Sequence, residues 1–422
     1  MSEEQQNMSA VLVGIAKSNR DLRECEISLA ELDRLLHTAG GETFCRVIQM
    51  KEAFDPRTCI GSGKVKEIAA IVAENGIGLV VFDFELTPAQ IRNLEEDIGS
   101  DVRVIDRSML ILDIFAYHAT SGEGKLQVEL AQLKYTAPRL IGKGTELSRL
   151  GGGIGTRGPG ESKLESDKRH LHAKIAMLEE RLREMEANRR VMRVQRDRSG
   201  LPKVALVGYT NAGKSTLLNR LTDAGVYAND QLFATLDPTT RKCELPGGEQ
   251  ILLTDTVGFI RKLPHHLVEA FRSTLDEVRY ADLLLLVSDV TDPEVRNHIR
   301  VTEEVIASLG ADGKPVLYVY NKSDLLGDVP ALSPTENTVA VSAGTGTGMD
   351  LLLSRIADML HAGSAEAEIF LPYSEQNRLS ALHDSYRILS CEYEDEGVRV
   401  KAILDQKGRG LFRDSIVGGE KT

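Results

Sequence analysis

The stretch GYTNAGKSTLLNRL, residues 208–221, follows the apolar run VALV and leads into a segment with the apolar spacing of a helix. From Gly208 to Ser215 it fits the pattern G-x-x-x-x-G-K-S/T. Glycines at these positions let successive backbone N–H groups turn toward an anion, and the start of a helix adds the positive end of its dipole. We therefore predict a strand–loop–helix unit that binds phosphates. In it Lys214 contacts the β- and γ-phosphates, and the Ser215 hydroxyl binds Mg²⁺.

A second motif supplies the acid that a magnesium–phosphate site requires. The segment ILLTDTVG places Asp255 at the end of an apolar strand, and we predict that this carboxylate acts on Mg²⁺ through a water molecule. The alternative for Asp255 is a cap at a strand end. Gly258 has no side chain, so its backbone N–H can come close to a γ-phosphate.

A third motif distinguishes guanine from adenine. In PVLYVYNKSD, Asn321, Lys322 and Asp324 follow another apolar strand. A carboxylate here can accept hydrogen bonds from N1 and N2 of guanine, and adenine has no such pair of donors. The strand that ends TVAVSAG would present the N–H groups of residues 342–344 to the guanine O6. Alone, NKSD is typical of a surface turn; after the two preceding motifs it indicates GTP and not ATP.

Length and composition predict a soluble protein with two or three domains. The 422 residues are 42% hydrophobic and 27% charged, and the net charge of −12 argues against wholesale coating by nucleic acid. No apolar run is long enough to span a membrane, and the polar start MSEEQQNMSA is unlike a signal peptide. The five cysteines are scattered and have no metal-binding spacing, which favours reduced thiols and a cytoplasmic location.

The order of strand-like and helix-like segments predicts an α/β protein. Residues 10–118 alternate between the two kinds of segment, which favours a largely parallel sheet. We predict four regions: an N-terminal α/β domain (1–140), a glycine-rich loop and long basic helical extension (141–200), a P-loop domain with a mixed, mostly parallel sheet and helices on both faces (201–363), and a small C-terminal α+β module (364–422) that reads strand–helix–strand–strand.

The region between the first two domains changes composition twice. From about Lys143 to Gly160 it is dense in glycine, which predicts a loop. A segment without Gly or Pro follows, residues 163–198, and its apolar residues form an a/d seam: Leu164, Leu171, Ile175, Leu178, Leu182 and Met185. We interpret it as a helix or helical hairpin that packs on its own domain, and therefore expect a monomer. An intermolecular coiled coil is the alternative.

The long helix is also basic in an acidic chain. Residues 163–198 contain eleven Lys and Arg against seven Asp and Glu, a net charge of +4. Two interpretations stay open: a face that contacts RNA, or a solvated surface.

Two glycine motifs elsewhere are weaker. In GSGK, residues 61–64, Thr58 stands where the first glycine of a phosphate loop belongs, and Val65 takes the place of Ser or Thr. The second motif, GIGTRG at residues 153–158, follows no predicted strand and is followed by Pro159. We predict both to be loops or helix starts.

The motifs together resemble those of a known protein class. GYTNAGKS, DTVG, NKSD and SAG look like the G1, G3, G4 and G5 boxes of translation-type GTPases, and FATLDPTTR (233–241) looks like their G2 switch. The segments RLGGGIGTRGPGESKLE and DTVGFIRKLPHHLVEAFRSTL, with the long helix, are similar to the pattern of the HflX GTPases over nearly the whole chain. By this resemblance Thr235 is the switch threonine that binds Mg²⁺, with Thr239 and Thr240 as alternatives.

The resemblance implies a set of site residues. Lys214, Thr235 and Gly258 would serve hydrolysis, and Ser215, Thr235 and Asp255 would hold Mg²⁺. The further nucleotide-binding residues implied are Tyr209, Thr210, Asn211, Ala212, Gly213 and Thr216 in the phosphate loop, Phe233, Ala234, Leu236 and Asp237 in the first switch, Thr256 and Val257 after Asp255, Ser323 in NKSD, and Ser342, Ala343 and Gly344.

One position departs from the small signalling GTPases. Phe259 follows DTVG where they carry a glutamine that orients the attacking water, so we expect slow hydrolysis without a factor supplied in trans or a cation. Asn211 stands where potassium-activated relatives carry a K⁺ ligand; the alternative is that it only tightens the loop by hydrogen bonds. We expect residues 226–241 and 258–267 to move with the nucleotide state.

The resemblance also implies a partner. HflX proteins associate with ribosomes, chiefly the large subunit, and can split stalled ribosomes, with the N-terminal domain, glycine loop and basic helix contacting rRNA. The alternative is a GTP switch for a protein partner that docks on the heptad helix. An ATP-driven RNA remodeller is a third class, but the sequence has no second phosphate loop.

Overall fold

The described parts of the chain fall into two units. The computed structural model describes residues 8–149, 159–197, 200–222, 232–233, 236–262, 272–326, 336–362, 365–404 and 406–418. The first unit contains residues 1–185, 231–233 and 261–271, and the second contains residues 186–230, 234–260 and 272–422.

Four parallel strands form the sheet of the first unit, in the order β2-β1-β3-β4. They are β1 (Met8–Ala16), β2 (Gly41–Met50), β3 (Leu79–Phe82) and β4 (Arg103–Asp106). Helices α1 (Leu22–Thr38), α2 (Ser62–Asn75), α3 (Pro88–Ile98) and α4 (Arg107–His118) connect or follow them. All four residues of β3 are buried, as expected of a strand covered on both faces. The predicted parallel α/β layer is confirmed.

Local sequence signals set several of these boundaries. The Thr87 side chain accepts a hydrogen bond from the Gln90 backbone while the Gln90 side chain accepts one from the Thr87 backbone, which is a capping box with proline at the first helical position. The GSGK segment begins α2, with Gly61 as its N-cap, so the prediction of a helix start there is confirmed. GIGTRG lies outside the described residues.

Two long helices follow α4 along the chain, α5 (Gly122–Arg149) and α6 (Pro159–Asp197). Ion pairs of 2.7 Å join them, Lys134 to Glu179 and Lys174 to Glu129. The seam residues from Leu171 to Met185 are the shielded positions of α6, and Leu178 is only 2% exposed. The side chain of Leu164 lies outside the described ones. A helical hairpin that packs within its own unit therefore accounts for the heptad pattern.

The expected loop from Lys143 is wrong for residues 143–149, because α5 continues through them. Two glycines, at 142 and 144, each cost about 1 kcal/mol relative to alanine inside a helix. The earlier turns of α5 are anchored by buried Val128, Ala131 and Ala137, and extending a formed helix is far easier than starting one. Residues 150–158 lie outside the described part, and α6 begins at Pro159, before the expected start at Lys163.

The second unit contains a six-stranded mixed sheet in the order β10-β9-β8-β5-β7-β6. Its strands are β5 (Lys203–Gly208), β6 (Thr239–Glu244), β7 (Gln250–Asp255), β8 (Leu283–Asp289), β9 (Val316–Asn321) and β10 (Thr338–Ala340). Within this sheet the β6–β7 pair is antiparallel and the other described pairs are parallel. The described helices are α7 (Lys214–Thr222), α8 (Arg272–Tyr280), α9 (Val295–Ser308) and α10 (Met349–Leu360). The predicted mixed, mostly parallel sheet is confirmed.

The C-terminal region forms a small antiparallel sheet with the order β12-β13-β11-β14. Its elements are β11 (Ala365–Pro372), α11 (Gln376–Ser385), β12 (Arg387–Glu394), β13 (Gly397–Leu404), α12 (Gln406–Leu411) and β14 (Ile416–Gly418). The predicted strand–helix–strand–strand order is confirmed, and α12 and β14 are additions to it. Among the helices of the described residues, none has the length and apolar character needed to cross a bilayer.

Candidate functional site

The loop between β5 and α7 is folded around the side chain of Lys214. This side chain is buried, and its Nζ donates to the carbonyl oxygens of Gly208 at 3.2 Å and Tyr209 at 2.9 Å. Burial lowers the pKa of Lys214 to about 8, against the opposing effect of the nearby Asp255 carboxylate. An ammonium group held at this position is ready to meet an anion, because the surrounding protein compensates its charge only in part.

The loop makes room for a close contact that only glycine allows. Gly213 has φ of +89°, and a Cβ atom there would lie 2.2 Å from Nδ2 of Asn321. Asn321 Nδ2 donates to the carbonyl of Ala212 at 2.8 Å, and its Oδ1 accepts from the N–H of Ala343 at 2.9 Å. One buried amide therefore joins the phosphate loop, the NKSD motif and the SAG segment.

A hydroxyl and a carboxylate converge at the start of α7. Ser215 Oγ donates to Asp255 Oδ2 at 2.6 Å, and Asp255 is fully buried at the end of β7. Oxygen ligands of this kind suit Mg²⁺, which binds nucleotides through few protein groups, substrate phosphates and water. Within the described residues no group of three or more His, Cys, Asp or Glu side chains could hold a metal by itself. The Ser215–Asp255 pair therefore fits a phosphate-bound magnesium ion.

The DTVG segment lies against the phosphate loop. Phe259 N donates to Gly208 O at 3.0 Å, and Thr210 N donates to Phe259 O at 2.8 Å. A Cβ atom on Gly258 would lie 2.8 Å from Thr210 Cα and 3.0 Å from Lys214 Nζ, so this position admits only glycine.

The residues on either side of Gly258 are buried. The Phe259 ring is 1% exposed, and an apolar ring there can neither orient nor activate a water molecule. Thr256, fully buried, donates from Oγ1 to Leu206 O at 2.7 Å, and the neighbouring Val257 is buried too. These contacts fix the start of residues 258–267, the second segment that we expect to move and here call the second switch, to β5.

The NKSD motif is fixed by an ion pair. Lys322 has φ of 62°, and its Nζ lies 2.8 Å from Asp289 Oδ2 at the end of β8. Burial raises the pKa of Asp289, but hydrogen bonds from Lys322 and Thr291 outweigh that effect and hold it below its ordinary value. Asp324 is exposed and follows Ser323 in a short 3₁₀ turn. Its carboxylate is therefore accessible to the guanine base of a nucleotide that binds from solvent.

The SAG segment uses much of its hydrogen-bonding capacity internally. The N–H of Ser342 donates to Thr347 O at 2.9 Å, and the N–H of Ala343 donates to Asn321 Oδ1. Arg220 donates to the carbonyl oxygens of Ala343 and Gly344. The N–H groups of Ser342 and Ala343 therefore have partners within the protein, and the contact of residues 342–344 with guanine O6 stays a prediction.

The first switch is described only in part. Ala234 and Thr235 lie outside the described residues, as do 223–231 and 263–271. Phe233 belongs to the first unit, where its buried ring packs edge-on against Phe115 with centroids 4.6 Å apart. Leu236 is buried and Asp237 half-buried. Of the alternative threonines, Thr240 hydrogen-bonds Thr254 across the β6–β7 pair at 2.9 Å, and Thr239 is also part of β6.

Two residues beside the site carried no sequence signal. His298, on α9, stacks on the Tyr209 ring, and Asp289 holds Lys322. Each of these contacts joins a motif residue to a residue far from it in the chain. Neither His298 nor Asp289 belongs to a recognisable motif. Asn211 has φ of 61°, a left-handed conformation that asparagine tolerates better than most residues, and Thr216 is half-buried at the start of α7.

Three protein families match consecutive parts of the chain. The family described as GTP-binding GTPase N-terminal matches residues 26–116, the GTP-binding GTPase Middle Region matches residues 118–196, and the 50S ribosome-binding GTPase family matches residues 203–322. A crystal structure of a GTP-binding protein from Sulfolobus solfataricus in complex with GDP is 25% identical, covers 84% of this chain and 99% of its own, and has a TM-score of 0.43.

Curated relatives match over almost the whole length. GTPase HflX from Caldanaerobacter subterraneus is 49% identical over 97% of this chain and 94% of its own. GTPase HflX from Escherichia coli K12 is 44% identical over 92% of this chain and 91% of its own. With this identity, and with its guanine-nucleotide motifs gathered at one edge of the sheet, the chain belongs to the HflX family and is a GTP-hydrolysing enzyme.

Proposed function

We propose that this GTPase is a magnesium-dependent switch that binds ribosomes, chiefly through the large subunit, and separates the subunits of stalled ribosomes. The observation that carries the proposal is the match of residues 203–322 to a family described as 50S ribosome-binding GTPases, on a chain whose phosphate loop, DTVG and NKSD motifs lie together. A ribosomal partner implies a cytoplasmic protein, and the hairpin packing of α6 supports a monomer.

The roles of the site residues follow from their contacts. Lys214 neutralises phosphate charge, Ser215 and Thr235 bind Mg²⁺ directly, and Asp255 acts on the ion through water. Asp324 accepts from N1 and N2 of guanine while Asn321 holds the loops around the base. Gly344 is the residue of the SAG segment that we assign to guanine O6, since the other two N–H groups donate within the protein.

Hydrolysis by the isolated protein should be slow. The buried Phe259 supplies no polar group to the attacking water, so the missing stabilisation must come from outside the chain. The ribosome is one source and a cation is another. The Asn211 side chain makes no hydrogen bond with the described residues, which favours K⁺ ligation over loop tightening as its role. Replacing KCl by NaCl should then lower the rate of the wild type and leave that of Asn211→Ala unchanged; equal rates in both salts would exclude potassium.

The helical hairpin is the surface that we assign to rRNA. Arg169, Arg181 and Arg183 are exposed along α6, outside its shielded seam. Salt-dependent contact of arginines with phosphates is the general mode of RNA binding, and it does not require a basic protein overall. The rival partner, a protein docked on the heptad seam, is less well supported because Leu178 at the middle of the seam is already covered within the unit.

Co-sedimentation with ribosomes and separated subunits tests the proposal. The protein should pellet with the large subunit in the presence of a non-hydrolysable GTP analogue, and much less with GDP or without nucleotide. Lys214→Ala should stay in the supernatant. The double variant Arg169→Glu/Arg181→Glu should pellet weakly, whereas the matched Glu184→Arg/Glu186→Arg on the same helix should pellet like the wild type.

Two outcomes would redirect the proposal. A protein that binds guanine nucleotide but never pellets has a partner other than the ribosome. A protein that pellets equally in every nucleotide state binds ribosomes but is not switched by GTP. If ribosome binding holds, light scattering of 70S particles should fall on addition of protein and GTP as the subunits separate.

A further inference from the structure

The ring of Tyr209 lies flat on the imidazole of His298. The ring centroids are 3.8 Å apart and the planes differ by 12°, so the two rings are stacked over most of their area. Both residues are buried, Tyr209 at 5% and His298 at 8% exposure. Tyr209 is the first variable residue of the phosphate loop, and His298 belongs to the first turn of α9.

The backbone of Tyr209 carries contacts of the nucleotide site. Its carbonyl oxygen accepts from Lys214 Nζ at 2.9 Å. Its neighbours, Gly208 and Thr210, form the pair of backbone hydrogen bonds to Phe259 that joins the phosphate loop to DTVG. A shift of the Tyr209 ring therefore moves both an acceptor of the phosphate-binding lysine and the junction with the second switch.

On the side away from Tyr209, the imidazole of His298 lies near Asp292, in a turn that precedes α9 and is closed by internal hydrogen bonds. Its Nδ1 lies 3.8 Å from Asp292 Oδ2, and Asp292 Oδ1 accepts from the N–H of Glu294 at 2.8 Å. The same turn begins at Asp289, which holds Lys322 of the guanine-binding motif. Residues 289–298 thus contact the phosphate loop through one end and NKSD through the other.

A general packing role would make His298 one core residue among many. Packing alone requires neither a flat stack on an aromatic ring nor an acid near the ring nitrogen. The hydrophobic cluster around the six-stranded sheet is largely aliphatic and includes neither Tyr209 nor His298. The stack instead fixes the ring of a loop whose backbone must hold one conformation to bind phosphate.

We propose that His298 is a positioning residue for the GTPase reaction: by stacking on Tyr209 it holds the phosphate loop in its nucleotide-binding conformation. The inference rests on the assignment of residues 208–215 as the phosphate loop. His298 touches no substrate; it acts through Tyr209.

The kinetic test separates positioning from chemistry. His298→Ala should raise KM for GTP roughly three- to tenfold, the range expected for loss of one aromatic pair, with kcat changed less than about twofold. His298→Phe, which keeps a flat ring, should return KM to within about twofold of the wild type, whereas His298→Leu should not. Ile306→Ala, a buried change two turns further along α9, controls for loosening of the helix and should leave KM unchanged.

A fluorescence measurement keeps the proposal testable if His298→Ala folds poorly. The chain has no tryptophan, so Tyr209→Trp introduces a single reporter at the stack. Its emission should be blue-shifted and shielded from acrylamide when it is combined with the native His298 or with His298→Phe. Combined with His298→Leu, the same reporter should be red-shifted and accessible.

The proposal is overturned if His298→Leu matches His298→Phe in KM at equal thermal stability, or if the emission of the Tyr209→Trp reporter is the same with every one of these side chains at position 298. If residues 208–215 are not the phosphate loop, a different result is expected, because Lys214→Ala would then still bind GTP. Loss of ribosome binding alone would leave the inference untouched, because both measurements use the isolated protein.

Discussion

Lys262 Nζ lies 2.6 Å from Asp83 Oδ2, although 179 positions separate the two residues along the chain. Both belong to the first unit, because residues 261–271 group with it and not with the sheet that carries DTVG. Asp83 follows β3 directly and is 2% exposed. The backbone of Lys262 has φ of 50°, an uncommon conformation for a residue other than glycine.

The carboxylate that Lys262 meets is part of a buried charge cluster. Arg107, 2% exposed, bonds Asp83 at 2.7 Å and also bonds Glu31, and Ser28 Oγ donates to Asp83 at 2.6 Å. Burial works against it, but the two carboxylates hold the pKa of Arg107 above its ordinary value. The chain thus passes from DTVG, within four residues, into an ion-pair network of the first unit.

We expect Asp83, at the buried centre of this network, to contribute more to the free energy of unfolding than Lys262 at its exposed edge. Asp83→Asn should lower the free energy of unfolding by about 3–5 kcal/mol, because it leaves Arg107 buried with one carboxylate fewer. Lys262→Met should cost about 1 kcal/mol or less, since half of that side chain is exposed and its charge is screened by solvent. Urea unfolding of the two variants and their double mutant measures both.

The matched control is Arg46→Met, which removes the exposed ion pair with Asp33 elsewhere in the same unit and should be almost neutral. A Lys262→Met variant as unstable as Asp83→Asn would contradict the ranking. It would mean that the lysine, and not the arginine, neutralises the buried acid.

Local structure in this protein can be predicted from the sequence, whereas contacts between distant residues cannot. GYTNAGKS and TPAQ identify a phosphate loop and a helix start because their signals are carried by adjacent residues. The heptad seam identifies α6 because its period is visible along the chain. The stack of His298 on Tyr209 and the pair of Lys262 with Asp83 depend on how distant elements pack, and neither leaves a pattern in the sequence. The helix through residues 143–149 is not predicted for a related reason. Glycine lowers the helix propensity of this segment, and the tertiary packing of the earlier turns of α5 overrides that effect.

Lys214 should make the protein without nucleotide less stable than a Lys214→Met variant near neutral pH. Burial lowers the pKa of Lys214 from 10.5 to about 8, so the unfolded chain binds more protons than the folded one between those two values. Stability of the wild type therefore rises with pH across that window. The deficit relative to Lys214→Met should be on the order of 3 kcal/mol below about pH 8 and fade as the pH approaches the unfolded value.

Thermal unfolding of the two proteins without nucleotide, from about pH 7 to 10, spans this window and measures the difference. Adding GTP and Mg²⁺ near neutral pH should raise the midpoint of the wild type only, because the variant cannot hold the phosphates. A constant difference across the pH range would show that Lys214 is not buried as a strained cation in the free protein.

Asp324→Asn should change the nucleotide selectivity of the protein from GTP toward XTP. In the role that we propose for it, the carboxylate would accept hydrogen bonds from N1 and N2 of guanine, and an amide in its place would offer a donor that suits the oxygen at position 2 of xanthine. GTP affinity should fall at least about a hundredfold, the loss expected when a charged double hydrogen bond is broken, while XTP affinity rises. Competition against a fluorescent GDP analogue measures both.

Asp324 is exposed, so the substitution should leave the unfolding midpoint within about 1 °C of the wild type. Asp328→Asn, just beyond the motif, is the matched control and should bind GTP normally. Retention of GTP selectivity by Asp324→Asn would remove this residue from the base site.

Gly258→Ala should uncouple the second switch from the phosphate loop. The added Cβ atom would lie 2.8 Å from Thr210 Cα and 3.0 Å from Lys214 Nζ, and the first of these neighbours is backbone that cannot step aside. The segment after Asp255 must then move away, and with it the pair of hydrogen bonds between Phe259 and the loop. We expect binding of a non-hydrolysable GTP analogue to weaken more than binding of GDP, because the clash lies beside Lys214, the lysine that we assign to the γ-phosphate.

Gly313→Ala, which has open space around its Cβ position, is the matched control and should change neither affinity. Isothermal titration with both nucleotides decides the matter: an equal loss for the two would place the clash outside the γ-phosphate site, and no loss at all would show that Gly258 does not pack against the loop in solution.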